Sequence, residues 1–346
     1  MCELTSIKNN PIGEPRSLPI HPLKPAEMDW RAAGLRYFAY GYYLKQLYGH
    51  RVQRVSVDAG FTCPNVDGTV ALGGCTFCDN RSFSPSRRLP RQKIIEQIDE
   101  GIKRLKIRYK CNHFMAYFQP ATNTYAPVEV LRPLYEAAIS HPEIIALAIG
   151  TRQDCVPDDV LDLLEEFAQR IPLTIEYGLQ TIHNKSLDWM NRGHYHDSFV
   201  DAMERSIGRG FEICAHIMLG LPGESHDDMM DTAREVARSG LDAVKIHNLY
   251  AVEKTPLADQ VRSGEVQLME FEVYITTLVD FLELIPPTMI VERISGEAPG
   301  DYFVGPQWCL DKPRILKAVD DEFNRRNSWQ GKQFQAQPVE SQSVET

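Results

Sequence analysis

The chain has 346 residues, 43% of them apolar, and its 37 basic against 47 acidic side chains give a formal charge of −10. This is the composition of a globular protein, long enough for two domains or one α/β barrel, and its acidity excludes a protein held on nucleic acid by bulk charge alone. No uncharged apolar run approaches the roughly 18 residues of a membrane-spanning helix, and the first 25 residues carry five prolines where a signal peptide would carry an apolar block, so a cytoplasmic protein with no membrane partner is expected.

Residues 1–30 are proline-rich and aperiodic and read as a flexible segment. An apolar run at 55–58 predicts the first buried strand, and others come at 114–118, 144–149, 173–177, 213–219 and 244–249. Between them lie helical patterns. Ile94, Ile98, Ile102 and Leu105 share one face, as do Val160, Leu164 and Phe167, and Ser225 with Asp228 caps a helix that ends near Gly240. After a first gap of about 60 residues the strands start about 30 to 40 residues apart, the length of a strand, a crossover helix and two loops. Six such units predict an α/β fold, a parallel barrel or its open relative, and the barrel is favoured because no glycine-rich phosphate-binding turn succeeds the first strand. The barrel is expected over 31–255. An extension over 256–326 holds a helix marked by Leu268, Phe271, Ile275, Leu278 and Leu282, a candidate seventh strand at 289–294 and a last helix at 315–323. Residues 327–346, with five glutamines, read as a flexible tail.

Directly after the first strand comes a cysteine loop. Of eight cysteines only Cys63, Cys75 and Cys78 cluster, in a C-x11-C-x2-C spacing, and Cys111 lies 33 residues beyond the last of them. Three thiolates fall short of the four closed ligands of a structural zinc site. They suit an iron–sulfur cube with one open iron, since such clusters are normally held by four cysteines. A zinc site completed from elsewhere, holding an RNA-binding surface, remains the alternative. Phe77, between the two close cysteines, is placed either to stack on a ligand ring or simply to pack. Charge is uneven along the chain: 81–110 holds ten basic and three acidic residues, a net +7, and 312–332 holds six against three.

The blocks GFTCPNVDGT, GGCTFC, YFQPATNTY, GTRQDCVPD, EYGLQT, NRGH and GLPGES, spread over about 36–327, make the chain resemble the radical S-adenosylmethionine (SAM) enzymes. Within them it is most similar to the YhcC/YtqA family, in the branch that includes the elongator catalytic subunit and oxygen-independent coproporphyrinogen oxidase. The resemblance implies a partial (β/α)6 TIM-like barrel with a short C-terminal extension. It further implies a 4Fe-4S cluster held by Cys63, Cys75 and Cys78, with SAM chelating the fourth iron and an external one-electron donor of the flavodoxin or ferredoxin type. Reductive cleavage of SAM then yields a 5′-deoxyadenosyl radical that takes a hydrogen atom from substrate.

Carried over one at a time, the resemblance places Phe77 near the adenine and Gln119 at the methionyl amino group. Gln180 and Arg192 fall at the ribose and methionyl carboxylate, His216 near the ribose, and Leu249 where backbone meets the adenine. One departure stands out. The elongator-type pattern has a glutamate where this chain has Gly150, so a carboxylate is expected from elsewhere, with Glu176 the candidate. The branch modifies tRNA, so a wobble-uridine side chain is the leading substrate, contacted through the basic segment 81–110; a small molecule or a protein substrate is the alternative. Cys155 and Cys309 are secondary candidates near the barrel mouth, and Glu292, Arg293 and His247 are candidate pocket residues. No residue is assigned a catalytic role in the reaction itself.

Overall fold

The computed structural model describes residues 25–84, 86–88 and 92–336. Its strands in chain order are β1 (Val52–Val57), β2 (His113–Phe118), β3 (Ile144–Thr151), β4 (Leu173–Gln180), β5 (Glu212–Leu219), β6 (Ala243–Asn248), β7 (Ala251–Val252), β8 (Ile290–Arg293) and β9 (Phe303–Gly305). Seven of them make one parallel sheet in the order β1-β2-β3-β4-β5-β6-β8. The two short strands β7 and β9 pair antiparallel beside it. The sheet is a half-barrel, as the α/β barrel reading requires, with β8 as the seventh strand.

Alternation along each strand makes two layers. Outward residues such as Val55, Val57, Phe118, Ile149, Ile175, Ile217 and Ile246 pack under the crossover helices in one large apolar core. Inward residues change character along the barrel. At the N-terminal ends Val52, Met115, Ile145, Ala243 and Ile290 close against Phe38, Tyr43 and Leu44, so helix Tyr40–Tyr48 plugs that end. At the C-terminal ends the inward residues are polar: Ser56, Glu176, His216, Lys245 and His247.

The expected division of the chain changes in three places. β8 pairs with β6 through Val244 and Val291, so a boundary at 255 cuts through one sheet. Residues 25–30 are not loose: Trp30 is buried and its Nε1 donates to Pro287 O at 2.9 Å, and farther on Phe38 and Ala39 cover the free edge of β8, where Val291 N donates to Phe38 O. Nor are 327–336 a loose tail. Gln330 is fully buried, its Oε1 accepting from Phe38 N at 2.8 Å and its Nε2 donating to Pro286 O and Met289 O, because an amide there satisfies three main-chain groups that no strand partner reaches. The remainder of both predicted flexible ends, 1–24 and 337–346, lies outside the described residues.

The basic segment also divides. Arg81, Arg87 and Arg88 come just after the cysteine loop, but helix Ile94–Tyr109 then runs back along β1 and delivers Lys103, Arg104, Arg108 and Lys110 to the opposite end of the sheet. A crossover helix must run antiparallel to its strands, so 81–110 cannot lie wholly beside the mouth of the barrel. No helix among the described residues is long and apolar enough to cross a membrane.

Candidate functional site

The cysteine loop is folded by its own main chain. Cys63 O accepts from Val66 N at 2.7 Å and Asp67 N at 3.1 Å, Gly74 N donates to Asn65 O at 2.8 Å, and Cys78 N donates to Cys75 O at 3.0 Å. A second segment, 191–193, holds the loop from behind. Asn191 Nδ2 donates to Leu72 O and Gly74 O, and Asn65 Nδ2 donates back to Asn191 O. Gly193 has φ +68°, and a Cβ there would stand 2.4 Å from Val70 Cγ1 and 2.9 Å from Asn65 Oδ1, so a side chain at 193 would force the two segments apart.

Cys63, Cys75 and Cys78 line one wall of a cavity of about 260 Å³ at the C-terminal ends of the strands. Cys75 Sγ accepts from Asn65 Nδ2 and from Arg192 Nη1, each at 3.4 Å. On that wall Cys75 is buried, Cys63 half-buried and Cys78 exposed. Among the described residues no three Cys, His, Asp or Glu side chains close on a single metal ion. A cube that takes one thiolate per iron needs no such closure, and an all-sulfur donor set with two N–H groups on one sulfur fits it.

Five of the six residues placed by resemblance at the SAM site reach the same cavity: Phe77, Gln119, Gln180, Arg192 and His216. Gln119 Oε1 accepts from Ser56 Oγ at 3.1 Å. Gln180 ends β4 at φ +69°. Arg192 is buried, with Nη2 donating to Gly178 O at 2.8 Å and Nε left without a partner. Leu249 is the exception. It is buried away from the cavity wall with its N–H donated to Leu219 O at 2.9 Å, although it shares an apolar cluster with Phe77. That bond continues the β5–β6 pairing one residue past β6. Cys155 and Cys309 stand outside this cavity too: Cys155 lines a separate open groove and Cys309 Sγ accepts from Asn248 Nδ2.

The floor of the cavity is a buried charge cluster, in which sequence reasoning named Glu176, His216 and Glu292 but not Arg54, Tyr117 or Lys245. Gly150 of β3 is in register with Glu176 of β4, and a Cβ at Gly150 would meet Phe118 O at 3.3 Å. Glu176 therefore brings its carboxylate up beside the glycine. It accepts from Tyr117 OH at 2.6 Å, from His216 Nε2 at 2.9 Å and from Lys245 Nζ, and pairs with Arg54 at 3.1 Å. Glu292 pairs with Arg54 at 2.7 Å and with Lys245 at 3.3 Å. Two cations thus balance two anions. Burial disfavours ionisation of Glu176, but Lys245, Arg54 and His216 outweigh it and hold its carboxyl well below the usual range. Burial also keeps the His216 and His247 rings neutral, lowering both. Arg293 and His247 line the cavity as well. The available signal was Lys245 itself, a lysine inside a buried strand.

Comparison with known proteins gives the family and the fold. The Radical SAM superfamily profile matches residues 71–236, and the Radical_SAM C-terminal domain profile matches residues 241–325. The chain is 40% identical to YtqA of Bacillus subtilis over 306 residues, covering 88% of this chain and 95% of YtqA. It is 27% identical over 164 residues to a tRNA uridine(34) acetyltransferase of Methanocaldococcus jannaschii, covering 46% of this chain and 30% of that protein. The structure of an archaeal Elp3 from Methanocaldococcus infernus shares the fold, with a TM-score of 0.58 at 18% identity over 81% of this chain and 64% of Elp3.

Proposed function

The chain belongs to the radical SAM superfamily, an enzyme class that works with a 4Fe-4S cluster, SAM and an external electron donor, and from that premise we propose that Cys63, Cys75 and Cys78 hold the cluster and that the substrate is the wobble uridine of a tRNA. When bound, these cofactors supply one-electron cleavage of a carbon–sulfur bond and abstraction of a hydrogen atom from substrate.

The chain's residues supply position and exclusion of water. Asn65 and Arg192 donate to Cys75 Sγ, and Gly193 lets segment 191–193 press on the loop. Arg192 Nε, buried and unpartnered, is the free donor for a SAM carboxylate. Phe77 and Met218 give the cavity an apolar wall, and Gln119 and Gln180 offer amides at the strand ends. Glu176 is already neutralised by Lys245 and Arg54, so it orients Tyr117 and His216 instead of serving as a lone counter-charge for an amine.

The observation that supports the substrate is the 164-residue likeness to the tRNA uridine(34) acetyltransferase. An anticodon-loop nucleotide is single-stranded and enters a pocket at small unstacking cost. The test is anaerobic reconstitution, electron paramagnetic resonance of the reduced protein with and without SAM, and 5′-deoxyadenosine formation with unmodified tRNA. A cluster signal shifted by SAM and lost in Cys78→Ala, with turnover raised by U34-containing tRNA and not by a U34→C transcript, is expected. Stoichiometric zinc without iron would refute the cluster assignment, and equal turnover with both transcripts the substrate.

A further inference from the structure

The opposite end of the barrel carries an unneutralised basic surface. Arg51, just before β1, and Tyr109, just before β2, are neighbours because β1 and β2 pair from Val52 and His113 onward. The guanidinium of Arg51 lies 4.5 Å and that of Arg108 5.1 Å from the Tyr109 ring, so one aromatic holds two cations side by side. Lys103, Arg104 and Lys110 are exposed on the same helix end. The acids nearby are engaged elsewhere: Glu143 with Lys106, Asp99 with His141 and Glu100 with Gln92. In a chain of charge −10 this leaves five exposed cations together with no ion pair among the described residues.

We infer that this end is an RNA-backbone contact surface, which grips phosphates of the substrate RNA remote from the nucleotide in the cavity. The inference rests on the tRNA reading above and specifies how that RNA is held. Six residues of β1 at about 3.3 Å each put the patch about 20 Å from the strand ends that line the cavity. A single flipped nucleotide does not span that distance, whereas the body of a folded RNA lying along β1 and its crossover helix does. Two guanidinium groups over one phenol ring suit sugar-phosphate and exposed bases. An acidic electron-donor protein is the weaker match, because it must approach the cluster at the other end.

The experiment compares binding of full-length unmodified tRNA and of its isolated anticodon stem-loop by fluorescence anisotropy between about 50 and about 200 mM salt, a range over which phosphate contacts weaken measurably. The reconstituted wild type is set beside Lys103→Gln/Arg104→Gln/Arg108→Gln and, separately, Arg51→Gln, with iron content and RNA-free SAM cleavage as folding controls. Expected is a loss of about tenfold or more for tRNA in the triple variant and a salt slope smaller by about two, with the stem-loop losing affinity only as far as its stem reaches the patch. Wild-type affinity for tRNA in both variants overturns the inference alone, as does loss of reduction by flavodoxin in place of RNA binding. Failure of the wild type to bind either RNA overturns the substrate reading and this inference with it.

Discussion

Removing one charge from the cavity floor tests whether Glu176, Lys245, Arg54 and Glu292 act as a unit. Glu176→Gln leaves Arg54 and Lys245 against Glu292 alone, and Lys245→Met leaves two carboxylates against Arg54. The Glu176 and Lys245 side chains are 0% and 4% exposed, so solvent does not screen the imbalance. Breaking a buried pair from one side costs about 3–5 kcal/mol, and at about 2 °C per kcal/mol for a chain of this size each single variant lowers Tm by about 6–10 °C. The double variant removes one charge of each sign and keeps the Arg54–Glu292 pair at 2.7 Å, so it loses less than the two singles summed, by about 1–3 kcal/mol. Thermal unfolding of all four proteins by circular dichroism, anaerobically and at equal iron content, reads the cycle. Additivity within about 0.5 kcal/mol, or a single variant that melts with the wild type, would refute the reasoning.

Two further variants probe the neighbourhood of Arg192. Gly193→Ala places a methyl into Val70 and Asn65 and a side chain in a left-handed conformation, at a combined cost of about 2–5 kcal/mol, so iron retained after reconstitution falls well below that of the wild type; full iron content would count against the clamp by 191–193. His194 is buried beside Arg192, and both burial and that charge depress its pKa from 6.5 to about 3. The unfolded ring takes up a proton that the folded ring refuses, so this residue's stabilisation is present above pH 6.5 and is lost as pH falls toward 3. His194→Gln therefore loses less stability than the wild type between about pH 7 and about pH 4.5 in urea unfolding; parallel loss in the two proteins contradicts the assignment.

The cavity walls were more legible than its floor. Gln119, Gln180 and His216 came from the resemblance of sequence blocks and not from periodicity, and the parallel barrel brings them to one cavity because its strand ends converge on one mouth. Leu249, placed by the same resemblance, is not among the residues lining the cavity, and its N–H is taken by Leu219 O. Arg54, Tyr117 and Lys245 lie on three different strands, and nothing in their local sequence indicates that one carboxylate collects them. Gln330 was misread because composition counts an amide as solvated, whereas this one bonds three main-chain groups in the interior.

Local spacing by itself determined the cysteine loop and the strand and helix periods, since a C-x11-C-x2-C segment and a two-residue alternation are properties of consecutive residues, while the enzyme class came from the resemblance of whole sequence blocks. Register and direction belonged to the tertiary structure. Only the pairing of β3 with β4 brings Glu176 alongside Gly150, and only the antiparallel run of the helix Ile94–Tyr109 carries half of the basic segment to the far end of the barrel. Both are set by packing across the sheet, where residues distant in sequence are held together by burial that no short window of the chain contains.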